Sequence, residues 1–466
     1  MSMRIAMIAT ARPTFAVDVA EARARAAREL LTELGAEVVG PTELVMTPED
    51  VEAARPSLAG ADQVVHVCAS FSDAGPAVAL YADLDQPVLL WAFREPGPVG
   101  DRLWLNSLCG ANLFGHALAR LGRQARLVYG EVDEPAVRQT WEQVLAGQLP
   151  PAPELPTAVR ERGDAGAAEQ ALARLQGRTI GVVGEAPPGF TPSEYDPALL
   201  ERYFGLRTQP LTVAEVFARI DAVPAERAQA EVVAATTAQP SLAAVDAEQV
   251  AGSAAVTTAL RDWIGDDQLD SVAVRCWPEF PTQRGVCPCS SLSRVADDGI
   301  PTQCERDVYG AATMLLLGEL GAGMTYLADT VDLEADRNLV RFWHCGAAAT
   351  ELAADPAEAT QYVHCNRKLG VAGNFPLRTG PVIAARLTED NDTGGLRLLI
   401  ASGTSIPAPN RFQGNSADVV LDADATGFIN GLVAGGFPHH TVLAWTDVRP
   451  GLRAAADHLR IPVTEW

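Results

Sequence analysis

Short apolar runs alternating with helix-length patterns constrain the fold of this chain more than any other feature. Residues 4–10 read as a strand, the Ala/Arg/Glu-rich stretch 18–35 as a helix ending near Gly35, and 36–39, 63–68 and 87–92 as further strands. Strands separated by helices predict a parallel, doubly wound sheet. A Pro-rich segment at 149–156 loosens the chain near a boundary. Beyond an Ala-rich helix, residues 178–184 open a second unit of the same kind, with strands expected at 231–234 and 271–276. The last third changes character: apolar runs at 381–387, 396–401 and 418–421 sit between Gly, Pro and Asn turns, the pattern of a β-rich, barrel-like domain. The expected fold class is therefore α/β, with two doubly wound parallel-sheet domains (1–172 and 173–342) followed by a β-rich domain (343–466).

Charge narrows the partners. With 36 Lys+Arg against 59 Asp+Glu the net charge is -23, which repels nucleic acid and anionic membranes. Although 48% of residues are hydrophobic, no run approaches the roughly 20 apolar residues of a membrane helix. The N-terminal apolar stretch is cut short by Ala11-Arg12-Pro13, so it reads as a first strand, and the protein is expected in the cytoplasm. The eight cysteines fit reduced core thiols, and Cys287, Cys289 and Cys304 lack the spacing of a zinc ribbon.

Four polar residues stand out in apolar or tightly turned surroundings. Glu305 opens an amphipathic run, Asp329 ends what reads as a short strand, His344 follows Val-Arg-Phe-Trp, and His440 closes Gly-Gly-Phe-Pro-His-His. Two carboxylates and two imidazoles suit a divalent ion such as Mn²⁺, or alternatively Co²⁺ or Mg²⁺, with room left for substrate oxygens. On a strand only one of His439 and His440 faces a given side, and His440 is taken as the ligand with His439 as its outward or supporting neighbour. Taken singly, each of the four has an ordinary structural role: a helix-start acid, a turn former or a core histidine.

The order and context of these residues resemble the L-fucose isomerase and L-arabinose isomerase superfamily. The matching positions are Glu305, Asp329 and His440, with His344 matching the additional His ligand of the arabinose branch; Thr379-Gly-Pro and Gly435-Gly add support. The resemblance covers most of residues 271–445 and the first half in outline. It implies a metal-dependent aldose-ketose isomerase in which Glu305 and Asp329 act as acid and base. It also implies a homo-oligomer whose sites are shared between subunits.

The chemistry asks for such residues. Moving a hydrogen between C1 and C2 requires a base for a carbon-bound proton and stabilisation of the developing enediolate oxygen.

Where the family pattern has Gly after the first acid, this chain has Arg306. Facing the cavity from in or before the first helical turn, its guanidinium would engage an anionic substituent such as sulfonate or phosphate; because some proteins that resemble this family isomerise sulfoquinovose, the resemblance implies sulfoquinovose, isomerised to sulfofructose, as the expected substrate. On the helix surface it would instead pair with Asp307 or Glu319. Arg12, Arg284, Trp277, His439 and Asn112 are further candidate substrate contacts, with Arg275 and Arg294 as other cationic anchors. The alternatives are an isomerase of a neutral sugar (L-fucose, D-arabinose or L-arabinose), a sugar-binding protein without turnover, and a hydrolase or lyase using metal-activated water.

Overall fold

In the computed structural model, which describes residues 2–157 and 163–466, β1 (Arg4–Thr10), β2 (Glu37–Val39), β3 (Gln63–Cys68), β4 (Val88–Ala92) and β5 (Ala125–Tyr129) form one wholly parallel sheet. Its order is β2-β1-β3-β4-β5. Every residue of β3 is buried, as a parallel strand covered on both faces requires. One face packs Ile5, Met7, Val65 and Trp91 against the helices Val17–Glu33 and Pro135–Leu145, and the other packs Ala6, Ile8, Val64 and Leu90 against Ser107–Arg120. The strand order reverses between β1 and β3, so the crevice beyond their carboxyl ends is a natural ligand position.

A second parallel sheet, ordered β7-β6-β8-β9, contains β6 (Thr179–Val183), β7 (Arg207–Leu211), β8 (Ser271–Val274) and β9 (Thr302–Gln303). Helices again cover both faces. The strand expected at 231–234 is not formed. Those residues lie inside the helix Ala225–Ala238, where Ala-rich flanking sequence outweighs a two-valine run.

The remaining strands are β10 (Thr325–Glu334), β11 (Leu339–His344), β12 (Thr360–Val363), β13 (Gly370–Pro376), β14 (Gly380–Asp390), β15 (Gly395–Ile406), β16 (Asn415–Leu421), β17 (His440–Ala444) and β18 (Val463–Glu465). Antiparallel pairings run β16-β11-β10-β17-β14-β15, and β15 pairs back with β16. Six strands therefore close a ring, the barrel anticipated from the short runs. This sheet takes in β10 and most of β11, which lie before residue 343, so the change from the second sheet to the third falls between Gln303 and Thr325. Among the described residues no helix is long and apolar enough to cross a membrane.

The three units share their cores. Leu108, Phe114 and Leu118 of the first unit pack in one cluster with Phe342, Phe428 and Leu443 of the third. The helix Val308–Glu319 lies between the second sheet and the barrel. Carboxyl ends of both parallel sheets are thereby turned toward β10, β11 and β17.

Candidate active site

At the carboxyl end of β9 the chain turns sharply. Glu305 and Arg306 both take left-handed backbone conformations, φ 59° and 60°, which non-glycine residues adopt at a cost and which concentrate at functional sites. The expectation that Glu305 begins a helix is corrected: the helix starts at Val308, capped by Asp307, whose carboxylate accepts from the Gly310 amide at 2.9 Å. The turn aims Glu305 and Arg306 in different directions. Glu305 Oε2 lies 3.1 Å from His440 Nε2, and its Oε1 accepts from the Trp277 indole N–H at 2.9 Å.

Asp329 is placed by strand register. It sits in the middle of β10, not at a strand end as expected, directly opposite His440 of β17 on one side and Trp343 of β11 on the other. Opposed residues of an antiparallel pair share a face, and Asp329 Oδ1 lies 3.4 Å from His440 Nε2. The rings of His344, at the end of β11, and His440 are 5.5 Å apart. The ligand atoms of Asp329, His344 and His440 all lie within 4.8 Å of one another, and so do those of Glu305, His439 and His440.

His440 is the hub. Its Nδ1 faces Asp307, which is fully buried and ion-paired with the equally buried Arg386. A carboxylate only accepts, so the ring proton belongs on Nδ1 and the Nε2 lone pair points between Glu305 and Asp329. Among the described residues, His440 Nε2 and Asp329 Oδ1 make no well-aligned hydrogen bond although both are buried. Two such electron-rich atoms facing each other call for a cation.

Three carboxylates around one ring favour positive charge on it: burial would lower the His440 pKa, but the Asp307 and Glu305 contacts and the Asp329 charge raise it to about 9, so a metal ion takes Nε2 in place of a proton. Burial, reinforced by Glu305 and opposed by His344 and His440, lifts Asp329 to about 6. For Glu305 burial again pushes upward, yet the hydrogen bond and charge of His440 hold the carboxyl below its ordinary value. The donor set fits a divalent ion bound by carboxylate oxygen and imidazole nitrogen.

The other anticipated residues divide. Arg12, Trp277 and His439 line the same cavity as Glu305, Asp329 and His344. His439 is not an outward neighbour: it precedes β17 rather than alternating within it, is buried, and places Nε2 3.9 Å from Asp329. Arg306 lies before the first helical turn but points away, donating to the carbonyls of Gly184 at 2.6 Å and Ser193 at 2.7 Å, and it pairs with neither Asp307 nor Glu319. Arg284 is bound to Asp221, Arg275 to Glu279 and Arg294 to Glu231. Asn112 is buried in the helix Ser107–Arg120, with its side chain unpartnered and outside the cavity lining.

Several site residues were not anticipated. Asp307 and Arg386 support His440; the first was signalled by the Asp-x-x-Gly start of an apolar helix. Phe190 contributes a ring 5.4 Å from His439 and 5.7 Å from His440. The cysteines remain free thiols, but they are not scattered: Cys287, Cys289 and Cys345 line the cavity, and the sulfurs of Cys289 and Cys345 are 3.7 Å apart.

The chain is similar in sequence to known proteins. A family model described as the N-terminal domain of fucose/sulfoquinovose isomerase matches residues 6–143. The sulfoquinovose isomerase of Alkalicoccus urumqiensis is 32% identical over 457 residues, 98% of this chain and 97% of that protein. That of Priestia aryabhattai is 33% identical over 440 residues, 94% of this chain and 93% of that protein. That of Clostridium sp. (strain MSTE9) is 28% identical over 460 residues, 98% of each.

Proposed function

This chain belongs to the fucose isomerase-like family and is an aldose-ketose isomerase, and on that premise we propose that it interconverts sulfoquinovose and sulfofructose with the help of a divalent metal, Mn²⁺ being the first choice. The observation that carries the reading is the convergence of Glu305 and Asp329 on His440 Nε2, a buried arrangement with two electron-rich atoms that make no well-aligned hydrogen bond. Sulfoquinovose is favoured over neutral sugars because the relatives matched over nearly the whole chain are sulfoquinovose isomerases.

Glu305, Asp329, His440 and His344 would hold the ion. When bound, it supplies Lewis-acid stabilisation of negative charge on the O1 and O2 side of the sugar. The chain's own groups do the rest. One of the carboxylates Glu305 and Asp329 takes the proton from C2 of the aldose, giving an enediol, and returns it to C1. The other handles the proton that moves between the two oxygens, so product and substrate have equal mass. Asp307 holds the His440 ring in one tautomer and orientation. Trp277 orients Glu305 through its indole N–H, and the rings of Phe71 and Phe190 beside His439 limit water around the reacting carbons.

The test is mass-balanced NMR of the Mn²⁺-loaded protein with sulfoquinovose, L-fucose, D-arabinose and L-arabinose in parallel. Conversion of sulfoquinovose to sulfofructose is expected; conversion of a neutral sugar alone would replace the substrate, and a product of different mass would replace the reaction class.

A further inference from the structure

Three segments from three different sheets meet at one wall of the cavity. Arg12 follows β1, Trp277 follows β8, and Arg367 lies in the loop between β12 and β13; all three line the cavity that contains Glu305 and Asp329. The guanidinium of Arg12 stands 4.6 Å from the centre of the Trp277 ring system and that of Arg367 5.8 Å. Two cations thus lie against one aromatic side chain.

Neither guanidinium forms an ion pair with a described carboxylate. Arg275, Arg284 and Arg294 nearby each have a carboxylate, and Arg306 has two carbonyls. The Arg12 and Arg367 side chains make no hydrogen bond or ion pair with any described residue; only their backbone amides donate, to Ser70 and His364. The carboxylates whose charge reaches Arg12 are engaged elsewhere, Glu305 with Trp277 and His440, and Asp73 with the Gly75 amide at 3.0 Å. In a chain with 59 acidic residues against 36 basic ones, two neighbouring guanidiniums that form no ion pair with a described residue mark a place suited to an outside anion.

The turn that carries Arg367 is closed by its own hydrogen bonds. His364 Nδ1 accepts from the amides of Asn366 and Arg367 at 3.2 and 3.3 Å, and its own amide donates to the Leu369 carbonyl at 2.7 Å, so Arg367 is presented by a closed turn. Trp277 joins the two ends: its N–H holds Glu305 while the guanidiniums lie against its ring. The carboxylate of Glu305 and the two guanidiniums thus flank one indole within one cavity.

We infer that Arg12 and Arg367, stacked on Trp277, form the subsite for the anionic C6 substituent of the sugar, an acceptor-only sulfonate held by forked N–H donors. The assignment rests on the sulfoquinovose reading above, and it moves the anion anchor from Arg306 to these two residues.

Calorimetry of the Mn²⁺-loaded protein with methyl α-sulfoquinovoside, whose ring cannot open, against methyl α-D-glucoside separates the subsite from catalysis. The wild type is expected to bind the sulfonated glycoside at least about tenfold more tightly, and Arg12→Gln and Arg367→Gln each to lose about 10- to 100-fold of that affinity while glucoside binding is unchanged. Variants that keep the wild-type preference overturn the subsite, as does a wild type without preference. If a Gln variant does not fold, the preference of Arg367→Lys decides: a fall of about two- to tenfold supports the fork, and no change overturns it. Arginine-dependent sulfonate binding without isomerisation of sulfoquinovose would leave the subsite standing and remove the substrate reading. Isomerisation with no arginine dependence would do the reverse.

Discussion

His440 Nδ1 lies 2.9 Å from Asp307 Oδ2, and both side chains are completely buried. The contact joins the last strand of the barrel ring to the start of the helix behind the second sheet, and it leaves Nε2 as the only coordinating atom of His440. Asp307→Asn should therefore weaken Mn²⁺ binding about 10- to 100-fold, read by electron paramagnetic resonance titration, with part of the turnover recovered at saturating metal. Because Arg386 loses its buried partner, a stability loss of about 3 kcal/mol should accompany it. Wild-type Mn²⁺ affinity in this variant would contradict the orienting role.

Glu305→Gln keeps the size of the side chain and the acceptor for Trp277 while removing the charge. Turnover should fall at least about 100-fold, whereas thermal unfolding should shift little, since one face of the side chain opens on the cavity. Retained turnover would remove Glu305 from the proton-transfer pair.

Arg306→Ala is expected to act on the fold and not on substrate choice. The guanidinium ties Gly184 and Ser193 together, and its removal should cost about 2–3 kcal/mol of stability, as for hydrogen bonds to a charged donor. KM for charged and neutral sugars should change by the same factor. A loss confined to the sulfonated sugar would return Arg306 to the binding site.

Much of this arrangement was legible in the residues. Alternating strand and helix periods gave both parallel sheets, because a strand buried on two faces and an amphipathic helix leave distinct patterns in one dimension. The four polar residues were visible for the same reason, each interrupting an apolar context. The barrel-like class was legible as well, but not which strands close it, since the β15–β16 pairing is a matter of register between strands already used elsewhere. Arg306 was misjudged because side-chain direction follows backbone conformation: two consecutive left-handed residues before Val308 send neighbours apart in a way that no helical period describes. Arg367 was overlooked because its role depends on Arg12 and Trp277, which lie 355 and 90 residues away in sequence, and the cysteines looked scattered for the same reason.

Proton transfer through an enediol predicts solvent exchange. Isomerisation in D₂O should place deuterium at the product carbon, followed by NMR. Complete retention of protium would instead indicate a direct hydride shift between C1 and C2.

The most direct test of the account is anomalous diffraction from crystals grown with Mn²⁺. A single peak bounded by Glu305, Asp329 and His440, with His344 alongside, is the predicted result. A peak among the cysteines of the cavity wall, or none near His440 Nε2, would contradict the claim that these residues form the metal centre of the isomerase.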